Sequence, residues 1–127
     1  MLLDTHVVHW WSAAPEKLST AAIAEIDSAD EVAVSSISWF ELAWLAHHER
    51  IAVSTPVRSW LLGLAEDIRT IATTPAIADT AASLPASFPG DPADRLIFAT
   101  AVESGFRLIS RDQKLRSYPQ PRQVVVW

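Results

Sequence analysis

Cysteine does not occur among the 127 residues, so disulfides and cysteine-bound zinc are excluded. No apolar run is long and uniform enough to span a bilayer, although half of the residues are apolar. No basic leader and apolar stretch precede a small-residue cleavage site, so no secretory signal is expected; the expectation is a cytoplasmic protein with no membrane association. Internal repeats, low-complexity tracts and linkers are also missing. The length suits one domain, residues 1–127, large enough to bury a core. A formal net charge of −5 argues against a general nucleic-acid coat protein.

The charge is unevenly spread. From Phe106 onward, Arg107, Arg111, Lys114, Arg116 and Arg122 stand against one acid, Asp112, while the rest of the chain holds five bases and fourteen acids. A basic segment beside an acidic body guides a phosphate backbone toward a carboxylate site. The plainer alternative is a set of solvated surface cations.

The chain alternates short apolar runs with helical stretches. Strands are expected at Leu2–Asp4, Val32–Ser35, Arg69–Ala72, Leu108–Ser110 and Val124–Trp127. Helix starts are marked by Ser19, by Ser38 with Glu41 at capping-box spacing, and by Thr55-Pro56, Thr74-Pro75 and Asp91-Pro92. Gly63 marks a break or a close helix contact, and Gly105 ends the helix that Asp91 begins. This alternation implies an α/β fold, a mostly parallel sheet flanked by helices on both faces.

Four carboxylates then fall on one edge of that sheet. Asp4 ends the first strand, Asp112 follows the fourth, and Glu41 and Asp94 lie in the first turns of helices. Ligands of open α/β sheets bind beyond the strand tips. Each acid also has a structural explanation: Asp91 as an N-cap, Asp94 and Glu41 as capping-box partners. Helix faces count against that explanation. Glu41 shares its face with Ile37, Trp44, Leu45 and His48, and Asp94 shares its face with Ile97, Phe98 and Ala101, both read as core stripes. An ionised carboxylate there needs compensation, and no lysine or arginine lies on either stripe. Oxygen-only ligands at strand tips suit Mg2+ or Mn2+. A divalent ion so held lowers the pKa of bound water and stabilises charge on a phosphoryl oxygen.

Four stretches, "LLDTH", "SSISWFELAWL", "GDPADRLIFATA" and "LISRDQKL", resemble the PIN-domain ribonucleases, and within them the VapC-type toxins of toxin–antitoxin modules. The resemblance covers the whole chain and implies a PIN-like three-layer fold. It places the acidic, metal-holding site on Asp4, Glu41, Asp94 and Asp112, with Asp91 ranked below Asp94. Asp4 and Asp94 are the expected direct ligands, with Glu41 and Asp112 acting through water or holding a second ion. Thr5 and Ser110 match small hydroxyl positions that support the acids. It further implies Mg2+-dependent cleavage of RNA, homodimers and inhibition by a VapB-type antitoxin. Arg111 beside Asp112 is bulkier and more basic than the family often shows. Arg95, Arg111, Lys114 and Arg116 are candidate phosphate contacts.

The remaining signals are weaker. His6 and His9 are one turn apart, but without cysteine they point poorly to zinc. Most of the tryptophans suit a core, with Trp39 or Trp60 the expected aromatic contact for an antitoxin. Two rivals to the nuclease are a receiver-type phosphoacceptor and a PIN-fold binding module without turnover. The first needs a lysine ending a late strand, where this chain has Ile109-Ser110-Arg111; the second leaves the four acids unused.

Overall fold

The computed structural model describes residues 1–120 and 122–127. Five strands, β1 (Leu2–Leu3), β2 (Ala33–Ser35), β3 (Arg69–Ile71), β4 (Leu108–Ile109) and β5 (Val125–Val126), form one sheet in the order β3-β2-β1-β4-β5. Every pairing is parallel. The inner strands are apolar and buried on both faces: Leu2, Leu3, Ala33, Val34, Leu108 and Ile109 are all fully buried. That is the pattern a parallel sheet covered by helices requires.

Alternation along the strands divides the core in two. Leu2, Ala33, Leu108 and Val125 pack with Ile97, Phe98 and Ala101 on one side. Leu3, Val34 and Ile109 pack with Val7, Val8, Ala22, Ile26 and Leu42 on the other. The first side is covered by α6 (Pro92–Ser104), backed by α5 (Pro75–Ser83). The second is covered by α1 (Thr5–Ala13), α2 (Thr20–Ser28), α3 (Ser36–His47) and α4 (Val57–Asp67). A short α7 (Gln113–Ser117) lies between β4 and β5. Three layers result.

The strand order has a functional consequence. From β1 the chain winds outward through β2 to β3, then returns to place β4 on the other side of β1. The tips of β1 and β4 therefore flank the point where the winding direction reverses, which is where open sheets leave a crevice.

Most helix starts fall where capping chemistry puts them. Ser19 and Thr74 accept from Ala22 N at 3.0 Å and Ile77 N at 3.2 Å. Several expectations need correction. The helix expected to open on Thr55-Pro56 begins at Val57, with Pro56 in the cap position and no side-chain cap from Thr55. The helix expected from Ser38 begins at Ser36, and Ser38 lies inside it, fully buried. Its core line runs through Ser38 and Leu42, so Glu41 stands at the margin of the buried stripe, and Trp44 is 43% exposed. Gly63 marks neither break nor contact: α4 is continuous, and a Cβ there would meet nothing within 4 Å. Trp39 and Trp60 pack against the second core, and Trp39 Nε1 donates to Thr70 Oγ1 at 2.8 Å. The exposed aromatic residues of α3 are Phe40 and Trp44.

The approach to α6 is pinned by Arg95. Its guanidinium donates to the carbonyls of Leu84 at 2.8 Å and Pro85 at 3.1 Å and lies 5.6 Å from the Phe88 ring centroid. At the far end, Gly105 takes a left-handed conformation with φ 69°, which disfavours any residue with a Cβ. Gly105→Ala is expected to lower the unfolding free energy by roughly 1–2 kcal/mol, measured by urea denaturation; an unchanged midpoint would contradict this account of the helix end.

Candidate active site

Asp4 leaves β1 at the sheet's centre and caps α1. One carboxylate oxygen accepts from Thr5 N at 2.8 Å and the other from the Ser110 hydroxyl at 2.7 Å. Ser110 Oγ in turn accepts from Asp112 N at 3.1 Å, so one hydroxyl ties the first acid to the last. Thr5 Oγ1 lies 2.7 Å from Glu41 Oε1 and 3.1 Å from Ser38 Oγ. A hydroxyl has one proton; Thr5 gives it to the carboxylate, and Ser38 donates to Thr5.

The other two acids face their own helices. Asp91 Oδ1 accepts from Asp94 N at 2.9 Å while Asp94 Oδ2 accepts from Asp91 N at 3.1 Å, a reciprocal cap of α6. Asp112 Oδ1 accepts from Lys114 N at 2.9 Å and Leu115 N at 3.4 Å, capping α7. All five acids nevertheless line one open cleft of about 580 Å3 beyond the strand tips. Asp91, expected as an N-cap, is both cap and lining.

The electrostatics are those of a crowded, under-neutralised site. Burial is the main cause that pushes the carboxyls of Asp4, Glu41 and Asp94 above the usual range. For Asp4 the Ser110 and Thr5 hydrogen bonds oppose the rise, and Asp112 adds to it. Asp94 is pushed up to about 7, with its bond to the Asp91 backbone opposing the rise and the charges of Asp91 and Asp4 adding to it. Both ion pairs among the described residues, Arg69–Glu31 and Arg107–Glu25, involve none of these acids.

A hard divalent cation fits this donor set: oxygen ligands only, no paired cation, and proton affinities raised by burial. Among the described residues no group of three such side chains is placed to hold a metal ion; Asp94 and Asp112 are hydrogen-bonded into their caps.

The cleft holds Asp4, Glu41, Asp94 and Asp112 as expected, with Thr5 and Ser110 behind them. Arg95 is not a free phosphate contact, since its guanidinium is spent on loop carbonyls. Lys114 and Arg116 are exposed on α7 outside the lining, whereas Arg111 lines the cleft. His6 and Trp10 also line it, and neither was read as part of the site. Outside the lining, the fully buried Ser35 hydroxyl has no hydrogen-bond partner. The register that sets Leu2 beside Ala33 puts Ser35 level with Asp4, on the α6 side. The available signal was its two-residue spacing from Ala33.

Known proteins bear on these features. The PIN domain family model matches residues 1–120. Ribonuclease VapC22 of Mycobacterium tuberculosis is 61% identical over 127 residues, covering 100% of this chain and 98% of that one. Two solved structures share the fold. A toxin–antitoxin complex from Klebsiella pneumoniae has a TM-score of 0.71 at 20% identity, covering 99% of this chain and 95% of its own. VapBC2 from Rickettsia felis, bound to a promoter DNA fragment, has a TM-score of 0.72 at 14% identity, covering 98% and 96%. The chain belongs to the PIN domain family. Within that family it is of the VapC type, a likeness that runs from its first residue to its last.

Protons bind Asp94 more tightly in the folded chain than in the unfolded one. Its protonation therefore favours the fold at low pH, and that contribution is lost as pH rises from the ordinary carboxylate range through about 7. In cation-free buffer, the melting temperature of Asp94→Asn is expected to exceed that of the unsubstituted protein by a margin that grows between about pH 5 and pH 8. A margin that is constant with pH would remove the raised carboxyl from the account.

Proposed function

We propose that this protein is the toxin of a toxin–antitoxin module: an endoribonuclease that hydrolyses RNA phosphodiester bonds, depends on Mg2+ with Mn2+ as a substitute, and is inhibited by a VapB-type antitoxin. The observation that carries the reading is the gathering of four uncompensated acids in one cleft, in a chain 61% identical to Ribonuclease VapC22. Asp4 and Asp94 would hold the ion directly, with Glu41 and Asp112 acting through water or around a second ion. Bound there, the ion supplies charge stabilisation at a phosphoryl oxygen and a lowered pKa for water.

The chain's own groups prepare that site. Ser110 fixes one oxygen of Asp4 and the backbone of Asp112. Thr5 fixes Glu41, and Ser38 fixes Thr5. The caps of α6 and α7 hold Asp94 and Asp112 at the rim. Asp94, whose carboxyl is pushed by burial up to about 7, would release its proton where a cation bound in its place.

The same reading makes the protein a homodimer of single-domain chains in the cytoplasm. No helix among the described residues is long and apolar enough to cross a membrane. For the antitoxin, exposed Phe40 and Trp44 on α3 and Leu62 on α4 offer apolar surface; they replace Trp39 and Trp60 as the residues for that role.

Purified protein is expected to cut RNA with Mg2+, to stop in EDTA and to resume when Mg2+ is restored. Asp4→Asn should reduce the rate by on the order of a hundredfold or more, and Ser110→Ala by roughly 10–100-fold through misplacement of Asp4. Gel assays on total RNA check all of these; cleavage that persists in EDTA would refute the reading.

A further inference from the structure

The cleft is lined by two unlike sets of side chains. One is the acids. The other is built from His6 and Trp10 of α1 and from Arg111, which follows β4. The rings of His6 and Trp10 stand 5.9 Å apart at 43°. Trp10 is braced by Trp127, centroid to centroid 6.0 Å at 63°. The Arg111 guanidinium lies 5.7 Å from the Trp10 centroid. His6 and Arg111 are exposed, so the hydrophobic core does not account for them. Asp4 and Thr5 precede His6, and Asp112 follows Arg111, so these side chains share with the first and last acids the two chain turns at the tips of β1 and β4.

A nucleotide has the same two-part chemistry: an anionic ester beside a flat, uncharged base. Aromatic rings and the guanidinium plane are the surfaces on which unpaired bases stack. We infer that His6, Trp10 and Arg111 form a nucleobase subsite, which holds one unpaired base of the RNA beside the bond that is cut. The inference rests on the ribonuclease reading. A base inside a duplex has its faces covered by its neighbours and would be excluded from this subsite.

The test is a cycle between protein and substrate. An oligoribonucleotide with a mapped cleavage site is compared with versions lacking the base on either side of that site, and with its duplex. Proteins are the unsubstituted chain, Trp10→Leu, Trp10→Phe, His6→Ala and Arg111→Ala. Since Trp10 also packs on Trp127, the exposed His6 and Arg111 variants keep the test valid if Trp10→Leu misfolds. One abasic substitution should raise KM about tenfold with kcat nearly unchanged, and Trp10→Leu or Arg111→Ala should raise it little further, since the two losses remove one contact. Trp10→Phe should fall between. The duplex should be cut poorly. The inference is overturned if the losses multiply, or if all variants handle every substrate as the unsubstituted protein does, which would assign this wall to a protein partner. Fluorescence anisotropy with Asp4→Asn and Mg2+ repeats the cycle without turnover. Absence of all cleavage would then count against the ribonuclease reading, while the binding cycle still decides the subsite.

Discussion

The Ser110 hydroxyl, donating to Asp4 and accepting from the Asp112 amide, is the contact on which the site depends. It joins parts of the chain 106 residues apart, and it exists only because β1 and β4 are neighbours in register, with Leu2 beside Leu108 and Leu3 beside Ile109. Two strands of two residues each would be trivial on their own. Between two helical layers, all four of their residues are fully buried. The apolar side chains thus determine where the polar ones meet. A slip of one residue would turn Asp4 away from Ser110 and toward the opposite face.

That placement works against stability. Carboxylates taken partly out of water without a cationic partner raise the free energy of the ionised folded state. The chain answers with neutral donors: the hydroxyls of Thr5 and Ser110 and the backbone amides of three helix starts. These orient the oxygens without cancelling their charge. An arginine in the same place would neutralise the acids and remove their demand for a cation. Arg95 adjoins Asp94 in sequence, yet its guanidinium is drawn off to the Leu84 and Pro85 carbonyls. Ser35, buried level with Asp4, is the one buried side-chain polar group among the described residues that the fold leaves without a hydrogen-bond partner.

Local chemistry made much of this legible in the sequence. Proline after a capping residue marks α5 and α6, Gly105 marks the end of α6, and the apolar pairs of β1 and β4 read as buried strands. The four acids could be assigned to one edge because each follows a strand or opens a helix, and the motif resemblance selected them from fifteen acids. What the sequence hid depended on helix rotation and long-range contacts. Glu41 was read on a core stripe because Ile37, Trp44 and Leu45 share its face, whereas the helix turns Ser38 and Leu42 inward. Ser38 looked like a cap and is instead a buried donor to Thr5. His6 and Trp10 followed the ordinary pattern of helix residues, and nothing local to α1 announces that Arg111 will arrive beside them from the other end of the chain.

A nuclease with an acidic surface must hold a polyanion by means other than general attraction. The chain carries net charge −5, and five of its acids line the cleft. Of the basic residues near its end, Arg111 is the one that lines the cleft. Non-specific phosphate contacts, which supply most of the affinity of basic nucleic-acid-binding proteins, are therefore scarce where the bond must sit. On the proposed reading, binding would rest on a cation at the acids and on stacking against the aromatic wall. The first is indifferent to sequence and the second requires an exposed base. Such a site gains little from a uniform duplex and most from a loop in which a phosphate and a free base are offered together. The same scarcity of positive charge that weakens general RNA binding thus favours selection by shape.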